Sequence, residues 1–320
     1  MSKTDLIKLY YPISKHLESV KTCMADELLQ TDTPLVKEIM EHVLSSSGKL
    51  VRSACVLFSF LSGDSDENLE KAIQLAAVIE SIHLASLIHD DVIDESDTRR
   101  NIATVYKKYG SSNAIVSGTY AYAIAVNLIA KIGDLSILSK ISVAVKGLCE
   151  GELTQSRSYD DSSLEGYLEA IYKKTAVLFE AACESGARLG AGNEVALKTF
   201  GRSLGYIFQL TDDYLDVFGE DADLSKEVGQ DFVAGIVTLP YLFLYQNLDT
   251  SQRDLLMNLE SFESLKQTFP AELSHVKTQM SDLILKYVDD GVSALTPLDD
   301  TDKQPLLILL DLVEKRIKKS

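Results

Sequence analysis

Apolar residues recur at every third or fourth position along almost all of the 320-residue chain, and strict alternation of apolar and polar residues is scarce. The first spacing is typical of helices with one buried face, and the second is typical of strands. Only six prolines and 17 glycines occur, and no stretch rich in Ser, Gly and Pro divides the sequence. The pattern therefore predicts one all-α domain over residues 1–320, a bundle of ten or more helices.

The predicted helices are mostly long. They cover about 3–28, 34–46, 49–61, 113–131, 134–156, 164–190, 196–218 and 236–247, and further helices fill the C-terminal third. Residues 68–94 predict one helix of about 40 Å at 1.5 Å per residue, enough to span a domain core. Residues 99–112 are predicted to be irregular. Residues 111–130 carry no charge but include Ser, Gly, Thr, Asn and two Tyr, which favours a buried helix over a membrane span.

Composition and charge narrow the function classes. Hydrophobic residues make up 46% and charged residues 25% of the chain, as in ordinary globular proteins. The net charge of −17 argues against nucleic-acid binding, but it allows an anionic substrate where metal ions reverse the local sign. We find no signal-peptide pattern and predict no transmembrane segment, so we expect a cytoplasmic protein. Four scattered cysteines are predicted to be reduced, buried thiols: Cys23, Cys55, Cys149 and Cys183.

Two carboxylate clusters repeat the same spacing about 120 residues apart. Asp90 and Asp94 lie one helical turn apart on one face, and so do Asp212 and Asp216. One such pair is common on an exposed helix end, but here each pair follows a long apolar helix that must be buried. Two acidic faces turned toward one cavity need compensating charge. Mg²⁺, a hard cation that also binds phosphate oxygens, is the expected partner.

Basic and polar side chains accompany the first cluster. Arg99 and Arg100 follow it directly, and two guanidinium groups beside a metal cluster suit a diphosphate. His83 lies seven residues before Asp90 on the same helix face and is a candidate ligand, whereas His89 is predicted to be structural. Gln209, three residues before the second cluster, is a plausible uncharged donor into the same cavity.

These motifs, in this order and spacing, resemble the trans-type isoprenyl diphosphate synthases over nearly the whole chain. The matching stretches are Gly48-Lys49-Leu50-Val51-Arg52, 82–100, Gly151-Glu152, Lys174-Thr175-Ala176, 208–216, 226–231 and 237–240. The resemblance implies an all-α bundle around a deep central cavity, usually as a homodimer. It also implies head-to-tail condensation of an allylic diphosphate with isopentenyl diphosphate, with two or three Mg²⁺ ions required.

The resemblance assigns roles residue by residue. The implied Mg²⁺ ligands are Asp90, Asp91 in a supporting role, Asp94, Asp212 and Asp216. The implied contacts of the allylic diphosphate are Arg99, Lys174, Gln209 and Lys226, with Thr175 beside the reacting centre. The implied contacts of the isopentenyl diphosphate are Lys49, Arg52, His83 and Arg100. Asp90, Asp94, Arg99, Lys174 and Asp212 would stabilise the charge that develops on the leaving diphosphate.

Three short stretches depart from the family pattern. Asn101-Ile102-Ala103 replaces the usual Gly-Lys/Arg-Pro after the two arginines, and Gly118-Thr119 replaces Gly-Asp. Ile236 stands where a second lysine is usual, which removes one cationic contact to the allylic diphosphate.

The helix before Asp90 bears on product length. In short-chain members of the family, an aromatic residue four or five positions before the first Asp closes the cavity, but here those positions are Ser86 and Ala85. Ile82 comes one turn further along the face of Asp90. Since one turn rises about 5.4 Å, roughly one isoprene unit, we predict a longer product of about C30 to C50.

Several alternatives stay open. One is a short-chain farnesyl or geranylgeranyl diphosphate synthase. Another is a class I terpene cyclase, which would carry a hydroxyl residue at position 216 and has no use for a second diphosphate site. A non-catalytic binding subunit tends to lose aspartate clusters, and both are whole here. A small partner subunit, which some long-chain relatives need, is also allowed.

Overall fold

A computed structural model describes residues 8–46, 48–154, 158–159, 162–219 and 228–318. The helices before the hairpin are α1 (Ser14–Leu29), α2 (Pro34–Leu44), α3 (Val51–Leu61) and α4 (Leu69–Ile93). Those that follow are α5 (Val105–Tyr109), α6 (Ser111–Ile132), α7 (Leu135–Leu153), α8 (Leu164–Ile171), α9 (Val177–Leu189) and α10 (Glu194–Phe218). The C-terminal part contains α11 (Gln230–Val233), α12 (Leu239–Asn247), α13 (Thr250–Met257), α14 (Phe262–Thr268), α15 (Pro270–Ala294) and α16 (Asp300–Lys318). The all-α prediction is confirmed.

Helix α4 runs through the core. It packs against α6, α1, α3 and α9, and every residue from 75 to 82 is buried. A helix covered on all sides is mostly apolar all round, and within 75–82 the polar residues are Glu80 and Ser81. The helix ends at Ile93, so its acidic C-terminal turn emerges where the core ends.

Helix α10 carries the second acidic cluster in its last two turns. It packs against α9 and α15, and it begins after Asn193, whose side chain accepts the Ala196 N–H at 3.0 Å. Such an N-cap fixes where the helix starts and therefore where its acidic end lies.

The segment predicted to be irregular contains a small hairpin. Strands β1 (Thr98–Arg99) and β2 (Ile102–Ala103) pair antiparallel, and α5 follows them. Arg100 and Asn101 form the turn with φ of 51° and 65°. Both turn residues of the favoured two-residue hairpin need positive φ, which asparagine tolerates well. Two-residue strands leave no periodic pattern, so the alternation rule could not detect them.

The region predicted as one helix over 164–190 is interrupted. Residues Tyr172–Ala176 are π-helical and connect α8 to α9. Single π-turns inside helices are frequent at functional sites.

Helix α6 is buried on one face only, so the prediction of a buried helix is half right. Ala114, Ala121 and Leu128 are buried, but Val116 and Val126 are 64% and 59% exposed. By length and composition α4 and α6 could each cross a membrane, and 61% and 39% of their most apolar stretches are buried inside the protein. Buried core helices meet the same criterion.

The cysteines are free, as predicted, but not all are buried. Cys55 and Cys183 are buried and Cys23 is partly buried, whereas Cys149 is exposed. Cys149 lies on α7, a surface helix whose outward positions are polar and apolar alike, so a lone apolar residue there does not report burial.

Candidate active site

Two neighbouring cavities lie where α4 and α10 end. The larger is about 590 Å³, and Asp90 and Asp212 both line it. The smaller is about 290 Å³ and is lined by Asp94 and Asp213. Lys174 and Gln209 stand in the walls of both. The two acidic clusters, 120 residues apart in sequence, therefore border one pair of adjoining spaces.

The first cluster is crowded with negative charge. Burial, and then the charge of Glu152, raise the pKa of Asp90 to about 7, against the opposing effect of Lys174 and Arg99. Asp94 follows α4 as its C-cap residue, with its N–H bonded to the Asp90 carbonyl at 2.8 Å. The raised pKa means that the negative charge of Asp90 is poorly compensated, so a cation would bind favourably beside it.

Asp91 has a different environment from its neighbours. It is buried, and its Oδ1 accepts a hydrogen bond from Arg99 Nε at 2.7 Å. The hairpin thus presents Arg99 to the cavity while Asp91 fixes the guanidinium. Its predicted supporting role toward a metal ion stays a prediction.

The three carboxylates of the second cluster point to three different partners. Asp212 is half exposed and accepts from Arg316 Nη1 of α16 at 3.1 Å. Asp213 is buried and accepts from Tyr167 Oη and from Gln209 Nε2, the latter at 2.9 Å. Asp212 faces the larger cavity and Asp213 the smaller.

Asp216 serves the chain that follows. Its carboxylate accepts the Gln230 N–H at 3.1 Å, the Asp231 N–H at 3.4 Å and Tyr241 Oη at 3.2 Å. Among the described residues that line the two cavities, Asp216 does not occur. In this structure it anchors the start of α11, and its predicted metal contact stays a prediction.

The π-helical segment brings Lys174 and Thr175 to the cavity wall. Two glycines allow close packing there: a Cβ on Gly151 would lie 2.5 Å from Lys174 N, and one on Gly205 would lie 2.4 Å from Ala176 Cα. Helices α7 and α10 can therefore clamp this segment from two sides. Lys174 Nζ bonds Glu152 at 2.9 Å.

A chain of hydrogen bonds connects Thr175 to Tyr167. Thr175 Oγ1 donates to Gln209 Oε1 at 2.8 Å, Gln209 Nε2 donates to Asp213, and Tyr167 donates to the same carboxylate. When Asp213 is ionised its carboxylate can only accept, so Gln209 and Tyr167 both donate to it. Burial, and then Asp231 and Asp216, raise the pKa of Asp213 well above its ordinary value.

Four basic side chains line the larger cavity, and we call them the basic pocket: Lys49, Arg52, His83 and Arg100. The Arg52 guanidinium lies over the Phe179 ring at 4.5 Å and near the Phe208 ring at 5.9 Å. Its Nη1 lies 3.2 Å from His83 Nε2. Since a guanidinium can only donate, His83 accepts and is neutral. Burial, and then Arg52, lower the pKa of His83 well below its ordinary value.

The structure separates the residues predicted to control chain length. Ser86 lines the larger cavity. Ala85 is fully buried in a separate apolar cluster with Leu28, Ile39 and Met40, and Ile82 is buried in the main core. Of the three, only Ser86 is among the described lining residues of the two cavities.

Two further predictions concern His89 and Lys226. His89 is structural, as predicted: its Nε2 bonds the Ile115 carbonyl at 3.0 Å, and Gly118 leaves room for its ring against α6. Lys226 lies outside the described residues.

Sequence reasoning missed Glu80, Glu152, Tyr167, Asp213 and Arg316. Two signals were available: Glu152 lies in a stretch that matches the family, and Asp213 lies inside the second cluster. Tyr167 and Arg316 reach the site from elements that carry no motif, so only the fold could reveal them.

The donor set fits a cation that is completed by its substrate. Among the described residues, no three His, Cys, Asp or Glu side chains are grouped so that they could hold a metal ion by themselves. Mg²⁺ commonly binds through one or two carboxylates and takes its other ligands from waters and phosphate oxygens.

A sequence profile described as polyprenyl synthetase matches residues 33–272. The octaprenyl diphosphate synthase of Haemophilus influenzae is 37% identical over 234 residues, 71% of this chain and 70% of that protein. The heptaprenyl diphosphate synthase component 2 of Bacillus subtilis is 33% identical over 268 residues, 80% of this chain and 76% of that protein.

A similar solved structure is the polyprenyl synthase of Caulobacter crescentus complexed with calcium and isoprenyl diphosphate. It has a TM-score of 0.87 and 29% identity, and the match covers 98% of both chains. Fold, motifs and sequence agree, and the chain is a prenyltransferase that belongs to the polyprenyl synthetase family.

Proposed function

We propose that the enzyme condenses isopentenyl diphosphate head-to-tail with an allylic diphosphate to make a long-chain all-trans polyprenyl diphosphate. The observation that carries the proposal is the lining of the larger cavity, where Asp90 and Asp212 share one space with the basic pocket. Two diphosphates can therefore lie side by side, one at the carboxylates and one at the guanidinium groups.

The allylic diphosphate lies at the carboxylates of Asp90, Asp94 and Asp212, which we call the acidic end of the site. Asp90, Asp94 and Asp212 would hold the two or three Mg²⁺ ions, which withdraw charge from the departing diphosphate when bound. Lys174 exchanges Glu152 for a phosphate oxygen, and Arg99 stays in place because Asp91 holds it. The free N–H of Gln209 donates to the same diphosphate, since Asp213 and Thr175 fix its amide.

The isopentenyl diphosphate lies in the basic pocket, bound by Lys49, Arg52 and Arg100. Neutral His83 orients Arg52 rather than adding a positive charge. Breaking the allylic C–O bond gives a cation that the double bond of the second substrate attacks, and the released diphosphate takes the proton. Leu148, Leu178 and Phe208 shield the cation from water.

A product of about C30 to C50 is supported by the absence of a bulky side chain at Ser86, one turn from Asp90 on the cavity wall. The Haemophilus relative is an octaprenyl diphosphate synthase and the Bacillus relative is component 2 of a heptaprenyl diphosphate synthase, which favours a long-chain product over that of a farnesyl or geranylgeranyl synthase.

We further propose that the chain acts as one domain, in the cytoplasm and as a homodimer. Exposed apolar residues on neighbouring helices support self-association: Val116 and Val126 on α6, and Leu135 and Val143 on α7. The name of the Bacillus relative, component 2, leaves a small partner subunit as the second candidate. Sedimentation of the purified chain distinguishes a dimer from a monomer that needs a partner.

Product analysis tests the proposal. The purified chain is incubated with Mg²⁺, farnesyl diphosphate and radiolabelled isopentenyl diphosphate, and the dephosphorylated products are separated by chain length. We expect products of about C30 or longer, formed without a second protein. Release of cyclic hydrocarbon would indicate a cyclase, and a product that stops at about C20 would indicate a short-chain enzyme.

A further inference from the structure

A buried carboxylate, Glu80, lines the larger cavity together with the basic residues and has no role in the reaction described above. It belongs to α4, three residues before His83, and is only 9% exposed. Its Oε1 accepts two hydrogen bonds from Ser53, from the backbone N–H at 3.2 Å and from Oγ at 3.1 Å. Burying a carboxylate is costly unless bonds and opposite charges compensate it, so its surroundings call for an explanation.

The first role of Glu80 is to cap α3. The residue before that helix, Leu50, has a left-handed backbone with φ of 51° and makes no side-chain cap. Ser53 is the third residue of the helix, where the backbone N–H has no partner within the helix itself. Glu80 supplies the missing acceptor from a different helix. It thereby fixes the turn of α3 from which Arg52 projects.

The second role of Glu80 is electrostatic. Burial lowers the pKa of Arg52 and of Arg100, and the attraction of Glu80 is the largest effect that opposes it for both groups. Arg52 also contacts two aromatic rings and neutral His83, none of which carries a negative charge. The attraction of Asp212 for Arg52 is smaller than that of Glu80. Arg52 Nε is buried and has no acceptor among the described residues, so one donor remains to be satisfied when an anion binds.

We propose that Glu80 is a positioning residue of the basic pocket: it caps α3 at the turn from which Arg52 projects, and from the same cavity wall its carboxylate attracts Arg52 and Arg100 and so orients them for the diphosphate of isopentenyl diphosphate. The inference rests on the proposed assignment of that substrate to the basic pocket. Glu80 does not touch the substrate; it acts through the two arginines.

Glu80→Gln tests the proposal, because the direction in which KM for isopentenyl diphosphate changes distinguishes two explanations. Glutamine keeps an oxygen that can accept both Ser53 donors, but it removes the charge that attracts the guanidinium groups. If charge alone mattered, a more positive pocket would bind the diphosphate more tightly and KM for isopentenyl diphosphate would fall. If Glu80 positions the arginines, that KM rises, and we expect an increase of at least about tenfold. KM for the allylic substrate should change by less than about twofold, since its contacts lie at the acidic end.

Glu180→Gln is the matched control. Glu180 is also a buried carboxylate, 7% exposed, and it is bonded to Arg202 Nε at 2.6 Å, away from both cavities. This variant loses a buried ion pair but should leave both KM values unchanged. Ser53→Ala removes one of the two bonds to Glu80 and should raise KM for isopentenyl diphosphate about threefold, which keeps the proposal testable if Glu80→Gln does not fold.

Arg52→Gln tests the assignment of isopentenyl diphosphate to the basic pocket separately from the role of Glu80. If this variant raises KM for isopentenyl diphosphate and Glu80→Gln leaves it unchanged or lower, Glu80 is not a positioning residue and the substrate assignment stands. If Arg52→Gln leaves that KM unchanged, the substrate assignment is wrong and the role of Glu80 is overturned with it. An equal rise of both KM values in Glu80→Gln would indicate a general structural defect and would also overturn the proposal.

Discussion

Replacing Ser86 with Phe should shorten the product. Ser86 lies four residues before Asp90, about 6 Å along α4 at 1.5 Å per residue, and it lines the larger cavity. A chain anchored at Asp90 passes this position after roughly one isoprene unit beyond the reacting end. A phenyl ring here would block the growing tail, so we expect products of about C15 to C20 in place of C30 to C50.

The fold should tolerate this change. Ser86 Oγ donates to the His83 carbonyl at 2.9 Å, and losing that bond costs about 0.5–1.5 kcal/mol. The new ring enters a cavity of about 590 Å³ rather than a packed core. The assay is chromatography of dephosphorylated products, with geranyl diphosphate as starter, beside thermal unfolding of the same sample.

Ala85→Phe is the contrasting variant. Ala85 is fully buried against Leu28, Ile39 and Met40, so a ring there overpacks an apolar cluster and destabilises the fold by about 1–3 kcal/mol. Its product length should stay unchanged in whatever fraction remains folded. Unchanged long products from Ser86→Phe, or short products from Ala85→Phe alone, would refute the path along the Ser86 face.

Three further predictions concern the acidic end of the site. Tyr167→Phe removes the phenol that donates to Asp213, so the Gln209 and Thr175 side chains lose a fixed direction. We expect kcat to fall about tenfold with little change in either KM. An unchanged kcat would contradict a role for this chain of hydrogen bonds. Arg316→Gln removes the bond between Asp212 and α16. In a metal titration, the Mg²⁺ concentration that gives half-maximal activity should therefore fall about two- to fivefold. A rise in that concentration would show that Arg316 assists the site instead. Burial and Glu152 raise the pKa of Asp90 to about 7 from an ordinary 3.8, so the native state keeps a proton that the unfolded chain loses. Stability of the metal-free protein should therefore fall as the pH rises from about 4 to 7, and Asp90→Asn should flatten this slope when Tm is compared in EDTA at about pH 5 and pH 7.5.

Much of the fold followed from periodicity because long helices repeat the same spacing many times. Helices α4 and α10 were bounded to within two residues, and their acidic ends were correctly expected to border shared space. The hairpin at Arg99 and Arg100 was missed, since two-residue strands are too short for any period. The outer face of α6 was misjudged because an uncharged sequence indicates burial without saying what covers it.

The chemistry of the site was predictable only where it sits in motifs. The spacing of Asp90 and Asp94 is local, so sequence alone reveals it. The partners of Asp213 and Asp212 are Tyr167 and Arg316, 46 and 104 residues away, and no local pattern predicts such contacts. The carboxylate of Asp216 looks equivalent to that of Asp212 in sequence, yet it bonds backbone amides after the helix.

The central claim is that Asp90 and Asp212 act on one diphosphate. The most direct measurement is a double-mutant cycle of Asp90→Asn and Asp212→Asn, read as kcat with saturating substrates and Mg²⁺. Residues that act as a unit are strongly non-additive. We expect each single variant to lower kcat at least about a hundredfold and the double variant to be hardly worse than either. Effects that simply multiply would show that the two carboxylates act independently and would contradict the shared site.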